Sequence, residues 1–211
     1  MENLGSTEPN VAVIIANWNG LDDTIECLES LKKISYQNYE VIVVDNGSRG
    51  NDVETLQCRF SDYIHLIKND RNLGYAGGIN VGINYVQGKY KPDFLLFLNN
   101  DTVVTVDFLT RMVESAMADN SIGIVGTGVY DLANAQKGII VKIRMFETRI
   151  SFIGINQINA LRSNNLNREA VDGCCLLIRN DVIERIGYLD ESYFCYWEDL
   201  DFYVRTKEAG Y

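Results

Sequence analysis

Short apolar runs alternate with stripes of apolar residues at helical spacing through the first half of the chain. Val11 to Ala16, Glu40 to Asp45, Tyr63 to Ile67 and Phe94 to Leu98 are hydrophobic runs of the length and density expected of strands covered on both faces. Between them Leu21, Ile25, Leu28 and Leu31 recur at helical intervals, as do Ala76, Ile79, Ile83 and Val86, and then Leu109, Val113 and Ala116. Each stripe reads as the core-facing side of an amphipathic helix. The alternation predicts βαβ units building a mostly parallel sheet in a single α/β domain. After Ile124 the pattern loses its period as far as about Asn167, where irregular strands and a flexible loop are expected, with no placement assigned over roughly 129–167. Order returns with a buried strand over Val171 to Ile178, a short helix near Asp181 to Ile186 and a last helix from Glu198 to about Ala209. The polar residues 1–10 are expected to form a disordered tail, leaving 11–211 as the domain.

Composition narrows the picture. The chain has 211 residues, 46% of them hydrophobic, which suits one sizeable core and leaves little room for two. A formal net charge of −10 argues against a nucleic-acid partner, because phosphate backbones are met by clustered Lys and Arg. No apolar run approaches the length of a membrane span and no secretory leader is present, so a cytoplasmic protein is expected, with peripheral association at the cytoplasmic face of a membrane left open. The five cysteines are odd in number and lack Cys-x-x-Cys spacing, which favours reduced packing residues over a disulfide framework or a zinc site.

Chemistry in open α/β sheets gathers beyond the carboxyl ends of the strands. The first strand ends in Asn17-Trp18-Asn19-Gly20, the second in Asp45-Asn46-Gly47-Ser48, the third in Asn69 to Gly74, and the fourth in Asn99-Asn100-Asp101-Thr102. Any one of these could be ordinary turn chemistry, but all four open onto one edge. Asp45 can accept a hydrogen bond from a nucleobase imide, and the helix that opens at Gly74-Tyr75-Ala76-Gly77-Gly78 can hold a diphosphate at its positive end. Asp101, at the tip of a buried strand, suits Mg²⁺ or Mn²⁺, which take oxygen ligands and bridge phosphates. Glu198, Asp199 and Asp201 follow the aromatic run Tyr193-Phe194-Cys195-Tyr196-Trp197, a setting that suits a sugar pocket with a partly desolvated base. Spacing alone leaves open which of the three acids acts. The lone histidine, His65, lies inside a predicted strand and reads as structural.

Taken together and in this order, the motifs resemble family 2 glycosyltransferases, in particular the rhamnosyltransferase-like branch, over Val11 to Tyr211. The resemblance implies the GT-A fold, a Rossmann-like single α/β domain. Asn17, Trp18 and Asn19 look like the nucleotide-contacting end of the first strand, and Asp45 like the base-binding aspartate. Asn72, Gly74, Gly77 and Asn80 match the donor loop. Asn99-Asn100-Asp101 looks like the DXD metal motif with asparagine in its first position, so that Asn100 joins the donor site and Asp101 carries the divalent metal. Glu198-Asp199, preceded by Trp197, resembles the ED motif, whose aspartate, here Asp199, is the implied general base. Many relatives add a metal-contacting histidine beyond a Gly-Tyr like the one at Tyr211, which implies a domain truncated at its C-terminus.

The function implied is an inverting transfer of a sugar from a nucleoside-diphosphate sugar to an acceptor hydroxyl on a glycan or lipid-linked acceptor, in cell-surface polysaccharide or glycan synthesis. A sugar nucleotidyltransferase is the rival enzyme, but it would carry a Gly-rich basic loop after the first strand, where Asn17-Trp18-Asn19-Gly20 stands. A non-catalytic nucleotide-sugar-binding module would have lost the base, whereas Glu198-Asp199 is intact.

Overall fold

The structure is a computed structural model that describes residues 8–127 and 173–211. Its strands are β1 (Val11–Asn17), β2 (Tyr39–Asp45), β3 (Ile64–Lys68), β4 (Phe94–Leu98), β5 (Ile124–Gly126) and β6 (Cys175–Arg179). Its helices are α1 (Leu21–Leu31), α2 (Asp52–Phe60), α3 (Gly74–Lys89), α4 (Phe108–Met117), α5 (Asn180–Ile186) and α6 (Glu198–Glu208). The described strands form one sheet in the order β3-β2-β1-β4-β6-β5. The first four strands run parallel, while β6 lies antiparallel to both β4 and β5. This is the GT-A arrangement.

Each central strand serves two cores, because alternate residues face opposite sides of the sheet. Val11, Val13 and Ile15 join Val41 and Val43 against Leu28 and Leu31 of α1, Leu56 of α2 and Met112 of α4. Ala12 and Ile14 join Ile42 and Val44 on the other face, against Ile79 and Ile83 of α3, Val182 of α5 and Phe202 of α6. That two-sided burial is why the strand signal was a continuous apolar run instead of an alternation. On the second face α3 lies close to β1 because Gly82 has no side chain: a Cβ there would stand 2.4 Å from Ile14 Cγ2.

Register places the chemistry. Asn17 is opposite Asp45 and Asp45 opposite Lys68, so the carboxyl ends of β1, β2 and β3 are level. Because β6 is antiparallel, it brings its amino end to the same edge, with Cys175 opposite Leu98 at the end of β4.

Three expectations are corrected. Residues 8–10 are tied down: Tyr36 Oη donates to Pro9 O at 2.5 Å and Asn10 N donates to Asp93 Oδ2 at 2.7 Å, so only residues 1–7 of the expected tail remain, outside the described residues. The strand expected from Val171 begins at Cys175 after a turn at Gly173 and Cys174, and residues 171–172 lie outside the described residues. Tyr63 precedes β3 instead of opening it. The short edge strand β5 stands at the start of the stretch where irregular strands were expected, and the part over 129–167 lies outside the described residues.

Candidate active site

Asn17 is fully buried and its amide is saturated. Its Nδ2 donates to Asp45 Oδ2 at 2.8 Å, to Ser48 Oγ at 3.2 Å and to Asp52 Oδ2 at 3.2 Å. Its Oδ1 accepts from Thr24 Oγ1 at 2.9 Å and from Gly20 N at 3.2 Å. Both ends of this amide are thus bonded within the protein. Trp18 and Asn19 form the exposed turn that follows. Asn19 adopts φ 52°, where its short polar side chain accepts from Arg49 N at 2.7 Å while its own N–H donates to Ser48 Oγ at 2.8 Å. These bonds hold the Trp18 indole at the surface, 55% exposed, beside the β2 loop.

Asp45 is also fully buried, accepting Asn17 Nδ2 on one oxygen and Ser48 N, at 3.0 Å, on the other. Asp52, at the start of α2, is a second buried carboxylate that shares the Asn17 amide. Next to Asp45, the Asn46 side chain makes four bonds: to Asn72 Oδ1 at 3.0 Å, to Gly74 O at 2.8 Å, from Asn69 Nδ2 at 3.0 Å and from Leu73 N at 3.1 Å. It shapes the whole loop between β3 and α3. Gly47, with φ 76°, lets that loop close in, since a Cβ would meet the Arg71 backbone at 2.7 Å.

At the expected diphosphate cradle of α3, two of the first N–H groups have partners within the protein. Gly74 N donates to Asn72 Oδ1 at 2.8 Å and Tyr75 N donates to Phe194 O at 2.8 Å, so these first helix donors are already satisfied. Gly74, with φ 77°, is needed because a Cβ would stand 2.2 Å from Phe194 O. Gly77 faces Leu73, with a Cβ 2.7 Å from that residue's own, and Asn80 holds the loop before α6. The Asn80 amide donates to Leu189 O and Glu191 Oε1, each at 2.9 Å, and accepts from Leu189 N at 3.1 Å. Asn72, Gly74, Gly77 and Asn80 thus act here by fixing two loops against each other.

That second loop carries the aromatic run into α6. Tyr196 and Trp197 both have positive φ, 71° and 77°, a conformation that side chains rarely adopt and that the surroundings must enforce. Their rings are exposed, and Trp197 with Tyr193, Leu200, Asp201 and Val204 lines a shallow groove. The three acids of α6 now separate. Asp201 is committed to Arg205, Nε to Oδ2 at 2.8 Å, and Arg205 also donates to Ile186 O and Tyr188 O. Glu198 is buried, one carboxyl oxygen has no hydrogen-bond partner among the described residues, and burial, aided by the charge of Asp199, pushes its pKa up. Asp199 is half-buried: its Oδ2 accepts Gly173 N at 3.0 Å and its Oδ1 accepts Leu200 N at 2.8 Å.

At the end of β4, Asn99 N donates to Cys174 O at 2.9 Å, so the turn after β4 lies beside the residue next to Gly173. The Asn100 amide donates to Thr24 Oγ1 at 2.9 Å and more weakly to Gly20 O and Asn17 Oδ1, at 3.4 and 3.5 Å. Asp101 is exposed and makes no hydrogen bond among the described residues. Its carboxylate fits a divalent cation held by one protein ligand, phosphate oxygens and water, since Asn100 is turned away and the described residues contain no cluster of three or more His, Cys, Asp or Glu side chains placed for a metal. Cys27 lies beneath this turn, and its burial raises the thiol pKa to about 12, which makes it an inert packing group. His65 is on the exposed β3 edge with Nε2 3.3 Å from Glu40 Oε2, away from the carboxyl edge.

The Glycosyl transferase family 2 profile matches residues 12–187. The chain belongs to this family. Among its relatives, the low-salt glycan biosynthesis hexosyltransferase Agl10 of Haloferax volcanii is 28% identical over 204 residues, covering 95% of this chain and 62% of that protein. The rhamnosyltransferase WbbL of Escherichia coli is 26% identical over 212 residues, covering 95% of this chain and 78% of that protein. Solved structures share the fold. The mannosyltransferase PcManGT of Pyrobaculum calidifontis, in complex with GDP-Man and Mn²⁺, superimposes with a TM-score of 0.71 at 18% identity, over 98% of this chain and 54% of that one. TarS 1-349 of S. aureus with UDP gives 0.65 at 17% identity, over 93% and 54%. The chain therefore spans little more than half the length of these solved relatives.

Sequence reasoning missed Thr24, Asn46, Ser48, Asp52 and Gly173. Asn46 and Ser48 stood inside a noted motif, but nothing in spacing says that an Asn turns inward to bond the loop after the neighbouring strand. Asp52 looks like any acid in the first turn of a helix.

Proposed function

We propose that this chain transfers a hexosyl group from a nucleoside-diphosphate sugar to an acceptor hydroxyl, with inversion at the anomeric carbon. The observation that carries the reading is that Asp199 is hydrogen-bonded to Gly173, whose neighbour Cys174 bonds Asn99 in the turn that presents Asp101. An acid free to take a proton and an acid free to take a cation therefore share one sheet edge.

In this reading the base end of the donor lies over the Trp18 turn and Asp45. The acceptor oxygen forms a bond to the anomeric carbon as the bond from that carbon to the diphosphate oxygen breaks, its electron pair leaving with the nucleoside diphosphate. Asp199 takes the acceptor proton, held in place by the Gly173 and Leu200 amides. A positioned base contributes about 10²–10⁴-fold. Asp101 is the residue that would hold Mg²⁺ or Mn²⁺, whose positive charge would offset the charge developing on the diphosphate. Asp201, through Arg205 and its bonds to Ile186 O and Tyr188 O, anchors α6, the helix that carries Asp199. The exposed Trp197 and its groove offer an apolar face to a glycan or lipid-linked acceptor. Five free thiols suit a reducing, cytoplasmic setting, and no described helix is long and apolar enough to cross a membrane.

Thermal unfolding with nucleoside diphosphates and Mn²⁺ tests the donor half of the reading, because a ligand that binds only the folded state raises its melting temperature. One nucleoside diphosphate is expected to stabilise the wild-type chain with Mn²⁺ and to lose that effect in Asp101→Ala, whose unliganded melting temperature stays at the wild-type value. An equal shift in the variant would remove Asp101 from the metal site.

A further inference from the structure

One buried amide touches both halves of the proposed donor site. On the nitrogen side of Asn17 are Asp45 Oδ2 at 2.8 Å, Ser48 Oγ at 3.2 Å and Asp52 Oδ2 at 3.2 Å. On its oxygen side are Thr24 Oγ1 at 2.9 Å, Gly20 N at 3.2 Å and, at the limit of a hydrogen bond, Asn100 Nδ2 at 3.5 Å. The orientation is forced, since a reversed amide would point a carbonyl oxygen at two carboxylates.

The bonds also share a direction. Asn100 Nδ2 donates to Thr24 Oγ1, Thr24 Oγ1 donates to Asn17 Oδ1, and Asn17 Nδ2 donates to Asp45 Oδ2. Donors aligned in series polarise one another, and this series ends on a carboxylate, where the polarisation is greatest. Asn17 and Thr24 are fully buried, so water does not interrupt the line. The end at Asn100 is held in register by Gly20, where a Cβ would stand 2.5 Å from Asn100 Nδ2.

We propose that Asn17 is a positioning residue that couples nucleobase binding at Asp45 to the cation-side turn at Asn100 and Asp101 through the relay Asn100–Thr24–Asn17–Asp45. The proposal rests on the donor reading given above. A side chain that donates at one end and accepts at the other is required at position 17. Aspartate would set a third carboxylate against Asp45 and Asp52, and leucine would leave both acids without their shared donor. Thr24 serves as the middle link because a hydroxyl can accept from Asn100 and donate to Asn17 at once. Asp45 is buried with both oxygens bonded, so a nucleobase reaches it only by displacing one of those partners, which disturbs the anchor of the relay and resets the turn presenting Asp101. The binding of base and cation is then cooperative.

Calorimetric titration of a nucleoside diphosphate, with and without Mn²⁺, gives a coupling factor as the ratio of the two dissociation constants. Thr24→Val cuts the relay at its middle, keeps the shape of the side chain and alters neither Asp45 nor Asp101. Its coupling factor is expected to fall about tenfold from wild type, within the range typical of coupled sites, while affinity for the corresponding nucleoside without phosphates stays unchanged. Asn17→Leu is expected to lose the same coupling and nucleoside affinity as well. If Asn17→Leu does not fold, Thr24→Val decides alone. A brace that only maintained the fold would weaken binding equally with and without Mn²⁺, and that result, or an unchanged coupling factor in Thr24→Val, overturns the relay. No binding of any nucleoside diphosphate by the wild-type chain would instead overturn the donor reading, and the relay with it.

Discussion

Asp199 Oδ2 accepts the Gly173 amide hydrogen at 3.0 Å, and this bond ties the acids of α6 to the sheet edge beside Asn99. The contact is tight on the carbon side too. A Cβ at Gly173 would stand 2.8 Å from Asp199 Oδ2, 3.0 Å from its Cβ and 3.1 Å from its Cγ.

Gly173→Ala should therefore move Asp199 without touching the base or cation sites. Misplacing a catalytic group by about an ångström can cost on the order of 10²-fold in rate. The expected outcome is a loss of turnover of that order in acceptor-dependent release of nucleoside diphosphate, with donor affinity within about twofold of wild type. Equal losses in turnover and donor affinity would mean that the added methyl disturbs the whole edge.

Glu198 gives a stability signature. Its carboxyl is buried with one oxygen unpaired among the described residues, and burial raises its pKa above the ordinary 4.5. The folded chain therefore holds this proton more tightly than the unfolded chain. The resulting stabilisation is full below about pH 4.5 and is lost as pH rises through the raised folded value. Glu198→Gln cannot titrate, so its melting temperature should fall less than that of wild type between about pH 4.5 and 7. Parallel curves for the two proteins would show that the carboxyl finds a partner in solution.

Most of the fold was legible in the sequence because the central strands are buried on both faces and the helices on one. Val11 to Ala16 and Phe94 to Leu98 are apolar throughout, and the stripe from Ala76 to Val86 matches the face that α3 lays on β1 and β2. The bounds and partner of β5 were not legible beyond the expectation of irregular strands after Ile124, because its three residues at the edge pair with β6 through backbone groups that any sequence supplies. The site was legible as a set of positions more than as a set of roles. Polar residues at strand ends marked the right edge, but whether an Asn faces outward or inward depends on partners far away in sequence. Asn17 finds Thr24, Asp45, Asp52 and Asn100, and Asn80 finds Leu189 and Glu191, and none of these internal partners could be read from the motifs. Spacing left Glu198, Asp199 and Asp201 open and the resemblance implied Asp199; the contacts of Asp201 with Arg205 and of Asp199 with Gly173 were not readable from either.

The central claim, that Asp199 is the base of a sugar transfer at this edge, is tested most directly by acceptor-dependent release of nucleoside diphosphate from Asp199→Asn, with donor affinity measured separately. The amide keeps an oxygen for the Gly173 hydrogen bond but cannot take the acceptor proton. The account predicts a turnover loss of about 10²–10⁴-fold at unchanged donor affinity, with Asp201→Asn much closer to wild type because that residue serves Arg205. Near-normal turnover in Asp199→Asn would contradict it.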